Sequence, residues 1–284
     1  MSIKIIADST CDLSQELLEK YDISVLLLQI VLGDQEYKDG LEISPDEIYQ
    51  WSNTTNEAPK TSAVSFSDAV ELFRSNLDIH DEIICFSISG QMSTTVNVMR
   101  MAAEELEAEN KIHIIDSENL STGGGLLVIE AAILAKEGKS SGEITAAIEQ
   151  LKPFVSSSFV VDTLPFLHRG GRCSGAAALA GGALKLHPKI IVENGGMKPD
   201  KKYRGKMSST ILSYAKDLDE SIQKARKDRV FITHSGCDDA IIQSVYQYVS
   251  DLNIFDEILI TRAGGVISSH CGPGALGILF IEQA

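Results

Sequence analysis

Small hydroxyl and amide side chains cluster between a predicted strand at 82–89 and a helix-like pattern that follows it. Hydroxyl groups and the free backbone amides at a helix start together form an anion site that needs no formal positive charge. Capping the helix would require only one or two of these groups. A site for a single carboxylate or a phosphate is therefore predicted here. Its polar residues are Ser87, Ser89, Gly90, Gln91, Ser93, Thr94, Thr95 and Asn97.

Two further hydroxyl clusters occupy comparable positions in the chain. "DST" at 8–10 follows the first predicted strand, and "KTSAVS" at 60–65 precedes a predicted helix. Either cluster alone is more often a helix cap than a ligand site. Because ligands of parallel sheets sit beyond the carboxyl ends of the strands, we expect all three clusters to converge on one site.

Two isolated features carry weaker signals. His270, in "SSHCGPG", is predicted between a strand and a glycine turn, where a lone histidine is usually structural. The basic run "KPDKKYRGK" at 198–206 stands out in an acidic chain. It is either a solvated loop or a docking site for a phosphate group or an acidic partner.

Common nucleotide-binding, catalytic and metal-binding motifs are either absent or lack the flanking elements that they require. "GPGALG" at 272–277 matches a dinucleotide-binding glycine pattern, but no helix, strand and acidic residue follow it, so a tight turn is predicted. Neither a Walker phosphate loop nor a nucleophile elbow occurs. The cysteines lack C-x-x-C spacing, so no metal, redox motif or cofactor is predicted. They are Cys11, Cys85, Cys173, Cys237 and Cys271.

The composition is that of a soluble globular protein with a sizeable core. The 284 residues are 44% hydrophobic and 23% charged, enough for one large or two ordinary domains. A net charge of −15 argues against nucleic-acid binding and against adhesion to an anionic membrane. The start "MSIKIIADST" resembles a strand and a turn rather than a signal peptide, which predicts a cytoplasmic protein.

The pattern of elements predicts an α/β fold in two domains. In the first part, strands alternate with helical segments, which is typical of βαβ units around a mainly parallel sheet. Its predicted strands are 3–7, 23–32, 82–89 and 111–116, and its helices 12–21, 44–51, 65–77, 94–109 and 125–138. The second part is richer in strands and predicts a mixed sheet. Its strands are 159–164, 189–194, 229–236, 257–264 and 278–283, with one clear helix at 238–252 and a glycine-rich region at 168–184. We place the domains at 1–157 and 158–284.

Taken together, the motifs resemble those of the DegV family of bacterial lipid-binding proteins. They are "ADSTCDLS", "KTS" at 60–62, "ISGQMSTT", "IDSENLSTGGG", "DTLPFLHRGGRCS", "ENGGMKPDKKYRGK" and "HCGPGALGI". The resemblance implies two α/β domains that enclose one long-chain fatty acid between and within them. It also implies the acyl-carrying, non-catalytic subunit of a bacterial fatty acid kinase. A separate ATP-binding subunit would phosphorylate the carboxylate for phospholipid synthesis, and transient membrane contact is permitted.

Roles can be predicted for particular residues. Because the clusters at 61 and 93 precede helices in neighbouring βα units, we expect Thr61, Ser62, Ser93 and Thr94 to surround the fatty acid carboxylate, with His270 as a further hydrogen-bond donor toward it. The resemblance implies that Arg172, Arg204 and His270 are kinase-facing positions. The chain departs from the family at Met92, where a serine is usual, and in "TSAVS", where T-S-Q-P-S is common. These departures leave open which hydroxyl holds the carboxylate and which acyl length is preferred.

Two other functions remain open at this stage. Glycine turns, hydroxyl clusters and the basic run are also compatible with an enzyme that acts on a small phosphorylated metabolite. No nucleophile–base pair or metal cluster supports that alternative. A pure scaffold role is disfavoured by the clustering of polar residues at strand ends.

Overall fold

The structure, a computed structural model, describes residues 2–162, 164–173 and 186–283. The described strands are β1 Ile3–Asp8, β2 Ile23–Leu26, β3 Gln29–Leu32, β4 Gln35–Lys38, β5 Lys60–Ser62, β6 Glu82–Ser87, β7 Ile112–Asp116, β8 Val155–Val160, β9 Leu186–Glu193, β10 Gly196–Arg204, β11 Ala225–His234, β12 Glu257–Arg262 and β13 Leu276–Glu282. The described helices are α1 Gln15–Lys20, α2 Pro45–Thr55, α3 Phe66–Leu77, α4 Thr95–Glu105, α5 Ser121–Lys136, α6 Ser141–Leu151, α7 Leu164–Gly170, α8 Met207–Asp217, α9 Asp219–Ile222, α10 Asp239–Asp251 and α11 Gly265–Cys271. Short 3₁₀ turns lie at Ser9–Cys11 and Lys152–Phe154.

The first half of the chain, residues 2–154, contains a four-stranded parallel sheet in the order β2-β1-β6-β7. This confirms the predicted parallel sheet. The flanking helices begin where their caps indicate. Ser44 caps α2 in a capping box with Glu47 and with Pro45 at the first position, and Ser65 caps α3.

The prediction of one continuous strand at 23–32 is wrong. The chain runs along the parallel sheet as β2, breaks after Leu26, and enters a separate antiparallel sheet as β3. That sheet has the order β4-β3-β5. The break lacks glycine and proline. It is fixed instead by Ser9 Oγ, which accepts the Leu28 N–H at 3.2 Å, and by the Asp39 N–H, which donates to Leu28 O at 2.9 Å.

The second half, residues 155–283, contains a six-stranded sheet in the order β10-β9-β8-β13-β11-β12. Its β11–β12 pair is parallel and its other pairs are antiparallel, which confirms the predicted mixed sheet. The strand expected at 159–164 lies earlier, as β8. The proposed break between residues 157 and 158 falls inside β8, and the division into two domains stays a prediction.

Helix α5 joins the two halves. Its residues are mostly apolar and are buried from Ser121 to Ala132 except for the partly buried Glu130, as expected for a helix enclosed on most sides. One cluster of buried side chains connects Ile5 and Phe86 of the parallel sheet, through Leu127, to Phe231 and Leu279 of the mixed sheet. None of the described helices is long and apolar enough to span a bilayer.

Two local predictions are corrected by the structure. The basic run is largely strand β10 at one edge of the mixed sheet, not a loop. His270 lies in the last turn of α11 rather than between a strand and a turn. The glycine turn itself follows α11, with positive φ at Gly272 (71°) and Gly274 (81°). Most of the glycine-rich region, residues 174–184, lies outside the described residues.

Candidate functional site

A cavity of about 350 Å³ opens where the two halves meet. This volume falls at the lower end of the range for small-molecule sites, about 300–1,000 Å³. One end of the cavity is polar and the rest is apolar. Its walls are Leu28, Thr61, Ser62, Ala63, Ile88, Gly90, Gln91, Met92, Ser93, Thr94, Leu120, Arg172, Met197, Val266, Ile267, His270 and Cys271. The structure therefore brings together six of the seven predicted site residues. Arg204 is the exception.

Hydroxyl groups and an imidazole form the polar end. Thr61 Oγ1, on β5, and Nε2 of His270, on α11, are 2.9 Å apart and hydrogen-bonded. Ser93 lies opposite, in the loop before α4; its hydroxyl accepts the Thr95 N–H at 3.2 Å and lies 2.9 Å from Thr95 Oγ1. Ser62 and Thr94 are exposed at the rim. The start of α4 has no acidic residue in its first turn, which leaves its dipole free to attract an anion.

The His270 ring is enclosed and uncharged near neutral pH. Burial, together with the Arg172 guanidinium nearby, lowers the pKa of His270 to about 4. Nδ1 of the ring is buried and has no hydrogen-bond partner among the residues that the structure describes. Gly170, at the end of α7, faces Nδ1 so closely that an added Cβ would lie 2.4 Å from it. The first glycine of the "GGR" element is therefore needed to make room for the imidazole.

The lowered pKa of His270 predicts a pH-dependent stability. Between pH 6.5 and about 4 the unfolded chain carries a protonated His270 while the folded protein keeps it neutral. The free energy of unfolding therefore falls as the pH is lowered through this window. At pH 4.5 we expect His270 to account for a loss of roughly 2 kcal/mol, at ~1.4 kcal/mol per pKa unit.

Urea unfolding at pH 7 and 4.5 tests this expectation, with the wild type compared with the His270→Gln variant. Other titrating groups are common to both proteins, so the difference between the two profiles isolates His270. Parallel profiles would show that His270 titrates normally in the folded state.

Arg172 covers the polar end from the second half. Its Nη1 donates to Gly170 O at 2.8 Å and its Nε to Met92 O at 3.4 Å. Among the described residues, no acidic side chain forms an ion pair with this guanidinium. Arg172 therefore adds an unneutralised positive charge beside a site of otherwise neutral donors.

The apolar part of the cavity continues between the halves. Leu120, Ile267 and Cys271 line both this cavity and a narrower space of about 30 Å³ that reaches Phe159, Leu276 and Leu279. Met92, at the position where a serine was expected from the resemblance, is buried in the same apolar cluster. It thus extends the apolar lining and supplies no hydroxyl to the polar end.

A hairpin turn of the second half secures the loop that carries Ser93. Ser89 Oγ donates to Gly195 O at 2.6 Å, and the Gln91 side-chain amide donates to Asn194 O. Gly195 has φ of +79°, and a Cβ there would meet Ser89 Oγ at 2.8 Å. The β9–β10 connection therefore packs closely against the loop that carries Ser93.

The expected convergence of all three hydroxyl clusters is wrong for residues 8–10, which do not line the cavity. Asp8 points inward instead. Its carboxylate accepts N–H groups from Thr10 at 3.0 Å and from Ile88 at 2.8 Å. Burial raises the pKa of Asp8 to about 6. This cluster braces the loop after β6, whereas residues of the other two clusters line the cavity.

Thr61 and Ser62 also differ from expectation in their setting. They lie on β5 of the antiparallel sheet, not in a βα unit beside the loop at 93.

The apolar wall was not identified from the sequence at all, although Ile88 and Leu120 each follow a strand of the parallel sheet closely. Arg204 is exposed at the end of β10, outside the cavity. Among the described residues, no group of three His, Cys, Asp or Glu side chains could hold a metal ion.

Two α/β halves with a cavity between them that is polar at one end and apolar elsewhere are typical of small-molecule-binding proteins. The family model described as "Uncharacterised protein, DegV family" matches residues 2–283. The chain therefore belongs to the DegV family, and the resemblance inferred from its motifs is confirmed.

Relatives with names and structures agree with this assignment. A DegV domain-containing protein of Deinococcus radiodurans is 31% identical over 280 residues, which cover 98% of each chain. The fatty-acid-binding DegV family protein from Thermus thermophilus is 31% identical, covers 100% of both chains and superimposes with a TM-score of 0.90. A stearic-acid-binding protein from Eubacterium ventriosum is 28% identical and superimposes with a TM-score of 0.85. The match covers 99% of this chain and 98% of that protein's chain.

Proposed function

We propose that this protein binds one long-chain fatty acid, with the carboxylate between Thr61, Ser93 and His270 and the tail along the apolar wall. The observation that carries the proposal is that a hydroxyl-rich end, with the Arg172 guanidinium beside it, and an apolar slot belong to one cavity. Family membership and the fatty acids bound by similar proteins support the same ligand class.

The energetics favour a ligand with a single polar end. Transfer of a 16-carbon tail out of water contributes on the order of 12 kcal/mol gross, at about 0.8 kcal/mol per methylene. The polar end therefore needs to orient the carboxylate more than to attract it. Neutral donors do this while leaving a carboxylate oxygen nucleophilic, which a bidentate arginine clamp would not.

Denaturing mass spectrometry of freshly purified protein tests the proposal. We expect a fatty acid to be released in near-stoichiometric amount, and its chain length to report the acyl preference. The alternative, a small phosphorylated metabolite, predicts that a sugar phosphate raises the melting temperature more than palmitate or oleate does. Absence of lipid together with failure to bind either fatty acid would exclude the proposed function.

Replacement of Ser93 by alanine should weaken fatty acid binding. The variant loses a hydrogen bond to a charged group, so we expect an affinity loss of about 1.5–3 kcal/mol. Thr94→Ala is measured beside it to separate the two hydroxyls, because Thr94 lines the same cavity but is exposed at the rim and makes no side-chain cap bond. Titration of delipidated protein with oleate measures both. Unchanged affinity in Ser93→Ala would move the carboxylate-binding role to Thr94 or to the Thr61–Ser62 pair.

The finer part of the proposal is presentation of the carboxylate to a separate ATP-binding kinase subunit, which forms an acyl phosphate for phospholipid synthesis. Phosphoryl transfer accumulates negative charge between donor and acceptor. Arg172 beside the polar end and Arg204 on an exposed edge strand supply cationic groups for that step and for the partner surface. The chain itself would not be catalytic. A cytoplasmic location and transient membrane contact belong to the same proposal.

A further inference from the structure

Helix α11 belongs to the second half by sequence but is inserted into the first half. Val266 is buried with Leu28 and Ile30 in the core of the first half. His270, near the other end of the same helix, reaches Thr61 on β5. The position of the imidazole in the polar end of the cavity therefore depends on how the start of α11 is anchored.

Two buried carboxylates of the first half anchor that start. Oδ1 of Asp12 accepts the Gly264 N–H at 2.8 Å, and Oδ1 of Asp39 accepts the Gly265 N–H at 2.7 Å. The second oxygen of Asp39 accepts the hydroxyl of Ser9 at 2.8 Å. Ser121 donates in the same way to Asp12. Each carboxylate is thus fixed on one side by the first half and on the other accepts a backbone N–H at the start of α11, from the N-cap residue Gly264 or from Gly265.

Steric fit leaves α11 little freedom at this point. A Cβ at residue 265 would lie 2.5 Å from Ile30 Cδ1 and 2.9 Å from Ile48 Cδ1, so any residue larger than glycine would require these buried side chains to shift. His270 follows five residues later, about 7.5 Å along the axis at 1.5 Å per residue. A tilt at the anchored end therefore moves the imidazole relative to Thr61 and Gly170.

We propose that Asp12 and Asp39 are positioning residues for the polar end of the cavity. They hold His270 against Thr61 by accepting the backbone N–H groups of Gly264 and Gly265 at the start of α11. Neither carboxylate lines the cavity. Their influence on the ligand is exerted through α11, which carries His270 and part of the apolar wall, and in this respect the inference rests on the proposed function. Both side chains are buried, at 6% and 2% exposure.

Asp39→Ala, Asp39→Asn and Tyr214→Phe test the assignment when compared with the wild type. The asparagine oxygen can still accept the Gly265 N–H, so Asp39→Asn is the conservative rescue. Burial raises the pKa of Asp39, which makes a neutral side chain a close substitute. Tyr214→Phe removes a buried hydroxyl that accepts the Ile278 N–H at 3.0 Å in the second half, away from α11, and controls for general destabilisation.

Two readouts are needed. The first is the imidazole ¹⁵N resonance of His270 in delipidated protein, assigned with His270→Gln. The second is oleate affinity. In Asp39→Ala we expect a shifted or broadened Nε2 resonance and roughly tenfold weaker oleate binding, equivalent to one lost hydrogen bond. Asp39→Asn should restore most of both, and Tyr214→Phe should change neither.

An unshifted His270 resonance in Asp39→Ala would overturn the assignment, as would an equal shift in Tyr214→Phe. Failure of the proposed function is distinguishable from either outcome. If the wild-type protein binds no fatty acid, the oleate affinities cannot be compared. The imidazole resonance of His270 still decides whether Asp39 positions this residue.

Discussion

Replacing Gly125 with alanine is expected to lower the free energy of unfolding by about 3 kcal/mol, whereas the same change at Gly124 should not lower it at all. A Cβ at Gly125 would lie 2.7 Å from the backbone oxygen of Cys11 and 2.8 Å from Leu13 Cδ2. Backbone cannot move aside as the end of a side chain can, so overpacking costs of about 1–3 kcal/mol or more apply.

Gly124 is the matched control, because it precedes Gly125 in the same helix. Its added Cβ would meet Ser117 atoms at 3.5 and 3.7 Å, which is ordinary contact. Alanine is favoured over glycine in a helix by about 1 kcal/mol, so Gly124→Ala should match or exceed the wild type. Urea unfolding of delipidated proteins, with the m-value as a check on two-state behaviour, measures both. Equal stabilities would contradict the close packing of α5 against the turn after β1.

Arg204→Ala should leave fatty acid binding unchanged and reduce acyl phosphate formation with a cognate kinase subunit about 100-fold, as removal of a single charge-stabilising group does in enzymes. Arg204 is exposed at the end of an edge strand and does not line the cavity, so lipid retention does not depend on it. His270→Ala should reduce turnover similarly and still carry lipid, because the tail supplies most of the binding free energy.

Lys202→Ala is the control for Arg204→Ala. Lys202 is exposed on the same strand two residues earlier, so its side chain lies on the same face of β10. Equal losses in the two variants would indicate a general effect of positive charge on association. Normal kinase-dependent turnover in both Arg204→Ala and His270→Ala would refute presentation even if fatty acid binding holds.

Elements with local start signals were the predictable part of the fold. Ser44, Pro45 and Glu47 specify the start of α2, and the structure shows the corresponding capping box. The same kind of signal at Ser140 and Glu143 caps α6, which was not predicted although its capping box is visible in the sequence. The parallel sheet and the mixed sheet could be predicted from the order of strands and helices along the chain. This order does not depend on the exact boundaries of the elements.

Features set by contacts between distant residues were not predictable. The stretch 23–32 is apolar apart from Ser24 and Gln29 and contains no glycine or proline, so no turn signal separates β2 from β3. The separation depends on Ser9 and Asp39. The hydroxyl-bearing loops could be identified because strand ends in α/β folds carry ligands. The apolar wall of the cavity and the inward orientation of the Asp8 side chain depend on how the two halves pack together. The hydrophobic periodicity of the sequence carries no information on that packing.

The order of strands in the mixed sheet has a consequence for synthesis of the protein on the ribosome. Strand β13, the last described strand, lies in the middle of the sheet between β8 and β11. Until residues 276–282 emerge, β8 and β11 each expose an unpaired edge, and such edges invite pairing with other chains. The parallel sheet, by contrast, has all its strands by Asp116. Nascent chains are therefore most exposed to aggregation late in translation, when the second half is made but not yet closed.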